Sequence, residues 1–491
     1  MQRRHFLQSL GALGALSAMP GVLAKSATAF SNTDIDWSLG FQSVRQTQFD
    51  PLAMSLEGKL PEDLRGVLFR NGPALSERGG MQTEHWFDGD GMVQQFVLNQ
   101  DGIIHQGKMV QTERFLREEA AQRFLYQHAG THLDNTLPVR NNDTTNQANI
   151  AVQPWNDELL ALWEGGSAYR LDPDTLETLG RMDWREDMIH MPFSAHPLPE
   201  KDGLLWNFGF APYAGKNGML FVYLLSQENG IQKVQPVTLP MAGYIHDFAQ
   251  TEQHLIFLLP PYQYEHGQGQ TYVDKFAWRP EQASRLLILE KADLAKQHWF
   301  ELPAGFVFHF GNAWQHKHEI GVNLCWYQDA SLMQSNKTQR INNQHRSLDK
   351  QAKVSTIIAN LNSKKIKQFT SDVVMEFPSF DEQGYSHGTS LTGVGVRQKT
   401  GVRNDALTTY NPDTGYEEHF DYPEYVVAEE PLLISGKNQK DKYVIQTFLD
   451  MRKQQTGLNL FLHNAISAGP IVTATMKRHL PLGFHGSFIS G

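Results

Sequence analysis

Short apolar runs separated by turn residues recur along most of the chain. Residues 158–180, ELLALWEGGSAYRLDPDTLETLG, are typical: an apolar run, a Gly-Gly turn, a second run and an Asp-Pro turn. The runs DGLLWNFGFAPY at 202–213 and HEIGVNLCWYQD at 318–329 follow the same scheme. This pattern predicts many short β-strands, which is typical of a sandwich, a barrel or a propeller.

One segment predicts a helix instead. TERFLREEAAQRFLY, residues 112–126, places apolar side chains near positions i, i+4 and i+8. After the first 29 residues we find no Pro/Gly/Ser-rich linker and no heptad pattern, so residues 30–491 are interpreted as one domain. No clean repeat is visible, and periodicity alone therefore does not choose among the three all-β architectures.

The first 29 residues predict an export signal. Arg3 and Arg4 stand before Phe-Leu and an apolar stretch, and cleavage options follow Ala24 and Ala29. Twin arginines of this kind are typical of a Tat-type signal, which exports proteins already folded and able to carry a metal. The alternatives are a general secretory peptide or a buried N-terminal helix. The Tat interpretation predicts a periplasmic protein.

Composition narrows the choice of function. The formal net charge of −10 and the lack of a basic block argue against a nucleic-acid partner. The only cysteine, Cys325, excludes an intrachain disulfide and a cysteine-based metal site. No stretch outside the signal reaches 18 apolar residues, so none predicts a membrane span. The chain has 20 histidines, and this surplus points toward metal chemistry.

Four histidines occupy similar positions, each in or just beyond a short apolar run. They are His196 in MPFSAHPLP, His246 in AGYIHDFA, His309 in GFVFHFGNAW and His485 in LGFHGSF. The intervals are 50, 63 and 176 residues. If one sheet takes roughly 60 residues, such spacing brings all four to one axis only in a radial or closed architecture. Neutral imidazole is a common ligand for Fe, Zn, Cu and Ni.

Three glutamates also stand in apolar runs. Glu164 lies in LLALWEGG, Glu376 in VVMEFPSF and Glu430 in VVAEEPLLI. A buried carboxylate needs a partner, and the second N–H of a metal-binding imidazole is a suitable one. For each residue taken alone, a solvent-facing position on an edge strand is an alternative, as a structural core position is for each histidine.

Eight motifs together resemble the carotenoid cleavage oxygenase family, which includes apocarotenoid oxygenases, lignostilbene dioxygenases and the vertebrate retinoid isomerohydrolase. They appear in family order over nearly the whole chain after the signal. The motifs are GVLFRNGP (66–73), HWFDGDGM (85–92), SAHP (194–197), YIHDFAQTE (244–252), FVFHFGNA (306–313), EFP (376–378), EEP (429–431) and GFHGSF (483–488).

The resemblance implies a seven-bladed β-propeller with a dome of loops and a helix over one face. It implies a non-haem iron, Fe(2+), on the axis, bound by the residues that match the family ligands: His196, His246, His309 and His485. Three glutamates that hydrogen-bond the ligand histidines in the family match Glu164, Glu376 and Glu430. The implied reaction is that of a dioxygenase, which cleaves a C=C bond of an apolar conjugated substrate with O2 to give two carbonyl products.

Two positions depart from parts of the family, and both are expected to border the substrate tunnel. Lignostilbene-cleaving members have a lysine where this chain has Trp163, and a tryptophan there resembles apocarotenoid oxygenases instead. Many members have a threonine that crowds the sixth metal position where this chain has Ile150, so different access of O2 or water to the iron is expected.

Alternatives to an apocarotenoid substrate remain open. One keeps the fold and metal but acts on a stilbenoid or phenylpropanoid alkene, which Trp163 disfavours. The other is a non-catalytic propeller that binds apolar ligands, which the four matched histidines disfavour. The sequence specifies neither the bond cleaved, nor whether one or both oxygen atoms enter the product, nor the oligomeric state. A lipophilic substrate would make peripheral contact with a membrane useful, and this contact also stays open.

The remaining motifs are interpreted as structural. HWFDGDGM (85–92) is expected to form a tight turn between strands, and its part from Asp88 to Gly91 lacks the later ligands of a calcium loop. His316 and His318 could form a metal pair on one strand face, but a solvated strand end is favoured. The other histidines near family motifs are also assigned structural roles: His190, His254 and His387.

Overall fold

The computed structural model describes residues 36–200, 203–334, 351–381, 385–397, 404–437 and 441–491. The predicted signal at residues 1–29 lies outside these ranges. Within them, no helix has both the length and the apolar character needed to cross a lipid bilayer.

Seven antiparallel sheets form the blades of a propeller, and the strands of each blade follow one another in hydrogen-bonded order. Blade 1 contains β1 (Gln48–Ala53), β7 (Gly102–Met109), β6 (Asp90–Asn99), β3 (Gly66–Leu75) and β34 (Gly486–Ser490). Blade 2 contains β11 (Thr178–Arg181), β10 (Tyr169–Leu171), β9 (Glu158–Leu162) and β8 (Ala151–Trp155). Blade 3 contains β12 (Leu198–Pro199), β13 (Leu204–Ala211), β14 (Met219–Ser226) and β15 (Gly230–Thr238). Blade 4 contains β16 (Ala249–Gln250), β17 (His254–Leu259), β20 (Ser284–Glu290) and β21 (Gln297–Leu302).

The second half of the ring follows the same plan. Blade 5 contains β22 (Phe306–His316), β23 (Glu319–Tyr327), β24 (Lys353–Asn360) and β25 (Ile366–Val374). Blade 6 contains β26 (Glu376–Ser379), β27 (Leu391–Gly395), β28 (Ala406–Tyr410) and β29 (Glu417–Asp421). Blade 7 contains β2 (Ser55–Gly58), β33 (Val472–Thr475), β32 (Gln455–Leu462), β31 (Lys442–Asp450) and β30 (Val426–Ser435). Two small sheets pair β4 (Glu77–Arg78) with β5 (Met81–Gln82) and β18 (Tyr262–Tyr264) with β19 (Phe276–Trp278).

The predicted seven-bladed propeller is confirmed. The inner strands touch their neighbours around the axis: β22 contacts β16 and β26, β30 contacts β26 and β34, and β34 contacts β8. Apolar side chains from facing sheets fill the space between blades, and every residue of β3 and of β17 is buried. Strands covered on both faces explain the continuous apolar runs, because neither face needs polar residues.

Both ends of the described chain close the ring. Strand β34 pairs antiparallel with β3, from Arg70 opposite Gly486 to Gly66 opposite Ser490. Near the other end, β2 pairs with β33 of blade 7. The first blade is therefore completed by the C-terminal strand and the last blade by an N-terminal strand, which holds the ring shut by hydrogen bonds at two places.

Glycine is required where β34 approaches β3. A Cβ atom on Gly486 would lie 2.3 Å from the carbonyl oxygen of Phe69, closer than real contacts allow. Gly72 has the same restriction, since its Cβ would lie 2.5 Å from the Cα of Gly483. The missing side chain at Gly486 therefore lets the C-terminal backbone pass close to β3.

The predicted helix forms but is shorter than residues 112–126. Helix α1 spans Glu113–Ala121, with Thr112 accepting the Phe115 amide at its N-terminus. It ends because Gln122 adopts a left-handed conformation, with φ 51°. The side chain of Glu118, fully buried, then accepts the backbone amides of Leu125 and Tyr126 instead of letting the helix continue.

Short 3₁₀ turns join the strands. They are Leu39–Phe41, Trp86–Asp88, Asn142–Thr145, Glu186–Met188, Val273–Lys275 and Ile466–Ala468. The turn at Trp86–Asp88 covers the start of the stretch expected to turn, and the carboxylate of Asp88 accepts bonds from Gly130 and Thr131. Asp88 is fully buried in these bonds, in keeping with its structural interpretation.

Candidate metal centre

Four histidines meet on the propeller axis. The ring nitrogens of His196, His246, His309 and His485 that could each provide one ligand atom all lie within 4.8 Å of one another. The Nε2 atoms of His196 and His246 are 3.0 Å apart, and those of His309 and His485 are 3.2 Å apart. The structure thus brings together the four histidines that the sequence selects, and their role as metal ligands stays a prediction.

The fold brings each ring to the axis by a different route. His309 is the fourth residue of β22, the inner strand of blade 5. His246 and His196 precede the short inner strands β16 and β12, and His485 directly precedes β34. The inner edges of all blades converge on the axis, so residues far apart in sequence become neighbours there.

Three of the rings are held by the predicted carboxylates. The Nδ1 atom of His246 bonds to Glu164, that of His309 to Glu376 at 2.5 Å, and that of His485 to Glu430 at 2.7 Å. A carboxylate can only accept, so each Nδ1 carries the proton and each Nε2 presents a lone pair to the centre. The carboxylates thereby fix both the tautomer and the orientation of each ring.

His196 is held differently. No carboxylate of the described chain hydrogen-bonds its ring, and its Nδ1 lies 3.8 Å from Asp247. The two oxygens of Asp247 instead accept the backbone amides of Phe248 and Phe310, at 2.7 and 2.8 Å. Asp247 therefore ties the segment after His246 to the residue after His309. Sequence reasoning missed this aspartate, although an acid inside the apolar run YIHDFA was a visible signal.

Further buried residues support the carboxylates. The Tyr244 hydroxyl donates to both oxygens of Glu164, at 3.1 and 2.9 Å. Arg70, which is 3% exposed, donates to the backbone carbonyls of Glu430 and Phe484 at 3.0 Å each. Its guanidinium also lies 3.7 Å from the carboxylate of Glu430. Arg70 thus links strand β3 to the segment that carries His485, a contact that the motif GVLFRNGP alone did not indicate.

Burial and charge set the protonation of the centre. Burial lowers the pKa of His196 well below its usual value and that of His485 to about 4. Burial opposes ionisation of Glu376 and Glu430, but the attraction of His309 and His485 outweighs it and lowers both carboxyl pKa values. For His309 the nearby Glu376 outweighs burial and raises the pKa. The charged carboxylates of Glu376 and Glu430 beside the rings favour a cation at the centre.

The residues fit a divalent transition metal. The Nε2 atoms of His309 and His485 lie 3.2 Å apart, and the Nδ1 proton of each ring is held by a carboxylate. In these tautomers the two Nε2 lone pairs are directed at each other, which is repulsive unless a positive ion lies between them. A metal–nitrogen bond of about 2.1 Å gives about 3.0 Å between neighbouring nitrogens at a right angle. Four neutral nitrogen donors with no thiolate suit Fe, Zn, Cu or Ni. The three carboxylates can offset the charge of the ion without binding it directly.

A cavity of about 500 Å³ opens onto this centre. Its wall includes His246, His309 and His485 together with the two residues expected to border a tunnel, Trp163 and Ile150. The backbone carbonyl of Ile150 also accepts the His485 amide at 3.1 Å, which places this residue against a histidine of the centre. The effect of Ile150 on O2 access stays a prediction.

Aromatic rings cover the cavity near the histidines. The Phe377 ring centroid lies 4.7 Å from that of His309, and the Phe308 centroid lies 5.1 Å from that of His246. These rings give the centre an apolar approach. The cavity volume lies within the range that accommodates a drug-sized ligand.

The other histidines stay outside the centre. His316 and His318 are exposed at the end of β22 and in the following turn, as favoured from the sequence. His190 bonds to Asp143, His254 contacts Thr251 and His387 pairs with Asp413, all as neighbours within the scaffold.

The fold and this centre define a class of protein: a seven-bladed propeller with four histidines on its axis, beneath an apolar cavity. The chain belongs to the family of RPE65, retinal pigment epithelial membrane protein, whose sequence model matches residues 41–490. This finding confirms the resemblance that the eight motifs indicate.

Individual relatives agree with the family assignment. The chain is 28% identical over 492 residues to apocarotenoid-15,15'-oxygenase of Synechocystis sp., covering 92% of this chain and 96% of that protein. It is 29% identical to isoeugenol monooxygenase of Pseudomonas nitroreducens over 56% of this chain and 58% of that protein. The solved structure of the cobalt-substituted Synechocystis apocarotenoid oxygenase superimposes with a TM-score of 0.81 at 24% identity, covering 93% of this chain and 98% of that one. The structural likeness shows the shared fold.

Proposed function

We propose that the protein is a non-haem Fe(II) dioxygenase that cleaves a C=C bond of an apocarotenoid-like substrate with O2 to give two carbonyl products. As a member of this family it is an oxidoreductase of the carotenoid oxygenase type. The single observation that carries the proposal is the four-histidine centre, with three rings oriented by carboxylates, opening into an aromatic cavity.

The roles of the residues follow from their contacts. Through the Nε2 atoms, the four histidines would hold the metal, and iron bound there supplies the electrons that activate O2 toward an alkene. Glu164, Glu376 and Glu430 hold the Nδ1 protons and so keep three lone pairs aimed at one point. This arrangement is built before substrate arrives, which avoids reorganisation during the reaction.

The cavity wall positions the alkene. Phe308 packs edge-on against His246 and Phe377 packs at a tilt against His309, and both rings would exclude water from the space where a double bond would lie. Trp163 adds apolar surface next to Glu164. An apolar conjugated substrate that fills such a cavity is held with one double bond beside the centre, and this alignment is a main source of rate enhancement.

A phenylpropanoid or stilbenoid alkene is the second candidate. The relative named isoeugenol monooxygenase supports it, since isoeugenol is a phenylpropanoid alkene. Trp163 argues against it, because stilbene-cleaving members have a lysine there. A purely ligand-binding propeller is disfavoured, since a binding module has no need for four buried histidines with oriented tautomers.

Metal analysis combined with O2 uptake tests the proposal. The protein, purified without oxygen and supplied with Fe(II), is expected to bind iron and to consume O2 with an apocarotenal while releasing two carbonyl fragments detectable by mass spectrometry. A hydroxystilbene and isoeugenol serve as the rival substrates. His246→Ala is expected to abolish both iron binding and O2 uptake. His316→Ala, at an exposed site, is the matched control. Iron binding without O2 uptake on any of these substrates would refute the oxygenase assignment.

Export through the Tat route is a separate proposal, supported by Arg3 and Arg4 ahead of an apolar stretch. Residues 1–35 fused to a folded reporter are expected to deliver it to the periplasm. A twin-lysine variant of Arg3 and Arg4 is expected to retain the reporter in the cytoplasm. Delivery that does not depend on the two arginines would favour a general secretory signal instead.

A further inference from the structure

Two hydrogen-bond donors in the cavity wall have no partner in the described chain. Tyr272 and Lys275 both line the cavity that opens onto the histidines. Neither the Tyr272 hydroxyl nor the Lys275 ammonium group makes a hydrogen bond or an ion pair with another described residue. Both side chains are half-buried, so water reaches them while the cavity is open. A ligand that fills the cavity displaces that water, and one that supplies a hydrogen-bond acceptor is then favoured over one that does not.

Local structure places the two side chains together. Tyr272 precedes the 3₁₀ turn Val273–Lys275, and the Lys275 amide donates to the Tyr272 carbonyl at 3.3 Å. In a 3₁₀ turn, side chains three residues apart lie on the same face. The hydroxyl and the ammonium group therefore project from one face of one turn.

The turn is fixed by its surroundings. The Val273 amide donates to the carbonyl of Ala129 at 2.8 Å, which joins the turn to another segment of the cavity wall. The Tyr272 ring meets the Phe276 ring edge-on at 5.2 Å between centroids. A ring held in this way keeps its hydroxyl in place without a hydrogen bond of its own.

The charges nearby leave the pair available for an acceptor. Burial, reinforced by the charge of Glu164, raises the pKa of Tyr272 well above its usual value, so the hydroxyl stays a neutral donor. Glu164 is engaged by His246 and Tyr244, and Glu265 is paired with Arg279. These two carboxylates therefore have other partners and do not neutralise the Lys275 cation.

We propose that Tyr272 and Lys275 bind the oxygen-bearing end of the substrate. The substrate is then a conjugated alkene with a terminal carbonyl, carboxylate or phenolate oxygen, and a pure hydrocarbon is a poor ligand. This inference rests on the proposed function for the reaction, but the binding preference it states can be measured without turnover. A hydrocarbon in the cavity would strip water from the ammonium group and return no hydrogen bond.

Anchoring one end also selects the bond to be cleaved. A substrate held by its oxygen at this turn presents one particular double bond to the centre, because the length of the conjugated chain then fixes which bond reaches the histidines. Without the anchor, an apolar chain can slide along aromatic rings, because dispersion contacts are not directional. The pair therefore acts as a specificity determinant and not as a catalytic group.

Equilibrium binding under anaerobic conditions tests the inference. Quenching of tryptophan fluorescence gives Kd for an apocarotenal, the acid of the same length and the hydrocarbon with a terminal methyl group. A second series compares 4-hydroxystilbene with stilbene. The variants are Lys275→Met and Tyr272→Phe, and the matched controls are Lys367→Met and Tyr416→Phe on the exposed surface. Thermal melting and metal content verify that each variant folds.

We expect the wild-type protein to bind the oxygenated member of one series about tenfold or more tightly than its hydrocarbon, as charge-assisted hydrogen bonds provide. Lys275→Met should raise Kd for the oxygenated ligand about tenfold and leave the hydrocarbon within about twofold. Tyr272→Phe should have a smaller effect in the same direction. The series that shows the preference identifies whether the acceptor is a polyene carbonyl or carboxylate or a phenolic oxygen.

Two outcomes separate this inference from the proposed function. If the oxygenated and hydrocarbon ligands bind equally, or if Lys275→Met leaves their ratio unchanged, the anchor is wrong even where O2 is consumed. If the binding preference depends on Lys275 but no alkene is cleaved, the oxygenase proposal fails and the anchor stands. In turnover, Lys275→Met should also release more than one pair of carbonyl products, whereas a single unchanged pair would contradict anchoring.

Discussion

His485 on the propeller axis and His105 in the first blade are both buried, and burial lowers the pKa of both rings, to about 4 and about 3. Their surroundings differ. His105 lies beside the Phe96 ring, 4.9 Å between centroids, and donates from Nε2 to Gln94 at 2.9 Å. His485 has its Nδ1 fixed by Glu430 and its Nε2 facing three other imidazoles.

Burial alone therefore does not make a histidine functional. Both rings are kept neutral by the same cost of burying a charge. On the axis, a carboxylate holds one nitrogen and leaves the other free to bind; in the blade, the nitrogen of His105 that could bind, Nδ1, has no partner and no converging donors among the described residues. Orientation of the second nitrogen, and not exposure, distinguishes the two regions.

Removing the C-terminal segment should have the largest effect on the axis. A chain that stops after Phe484 lacks both His485 and β34, which pairs with β3 over five residues. We expect loss of bound metal and a fall in unfolding free energy of about 4 kcal/mol or more, at about 1 kcal/mol for each backbone hydrogen bond lost. Metal analysis and denaturant titration measure the two effects. His485→Ala in the full chain should lose the metal but keep most of the stability, and retained metal in the truncated chain would contradict the site.

Replacing one histidine in each region is the next test. His246→Ala removes a predicted metal ligand. We therefore expect metal affinity to fall by more than about 100-fold, the upper end of the loss that follows from removing an orienting carboxylate. His105→Gln, which preserves a donor for Gln94, should leave metal content unchanged. Inductively coupled plasma mass spectrometry on both variants decides the point. Equal metal content in the two variants would show that the histidine on the axis is no more important for metal binding than the histidine in the blade.

Substitution of the carboxylates should give an intermediate effect. Glu376→Gln and Glu430→Gln keep the shape of the side chain but no longer favour an Nδ1–H partner by charge, and we expect metal affinity to fall about 10- to 100-fold. Competition with a chelator measures the change. Glu319→Gln, at an exposed strand end, is the control. If affinity is unchanged, the carboxylates only pack the axis and do not orient the rings.

The smallest effect concerns acid stability of the first blade. His105 has a folded-state pKa of about 3, below its unfolded value of about 6.5, so the neutral ring stabilises the fold fully above pH 6.5. This contribution is lost as the pH falls from 6.5 toward 3, by about 1.4 kcal/mol per unit. Between pH 6.5 and 5, the unfolding free energy of His105→Gln, measured by urea titration, should therefore fall by about 2 kcal/mol less than that of the wild-type protein. Parallel losses in both proteins would show that His105 does not titrate as described.

Much of the fold could be predicted from residue patterns. Apolar runs bounded by Gly, Asn, Asp and Pro correspond to strands such as β9 and β13, because such runs pack between sheets and turn residues end them. The number of blades came from family resemblance, since no repeat is visible. The end of α1 was missed because a left-handed Gln122 and the buried Glu118 carboxylate, which only tertiary contacts hold in place, stop the helix early.

The candidate site was predictable in its main residues and not in its supports. The histidines and glutamates stood out as polar residues inside apolar runs. Asp247 stands in such a run too and was overlooked. Tyr244 and Arg70 did not stand out, because their partners lie on other segments and include backbone groups that no side-chain pattern reveals. Tyr272 and Lys275 could not be predicted either. They are distinguished by having no hydrogen-bond partner in the described chain, and only the packed cavity shows this.

The sequence by itself determined the all-β class, the surplus of histidines and the four rings suited to bind a metal, since these depend on residue type and local pattern. The GFHGSF motif predicted a metal-ligating histidine in the C-terminal region. Only the tertiary structure decided that this region closes the first blade beside β3, that Nδ1 of three rings is held by carboxylates, and that two donors without a partner in the described chain face the cavity. The physical reason is that hydrogen-bond partners and cavities arise from segments hundreds of residues apart, whose meeting is set by closure of the whole ring.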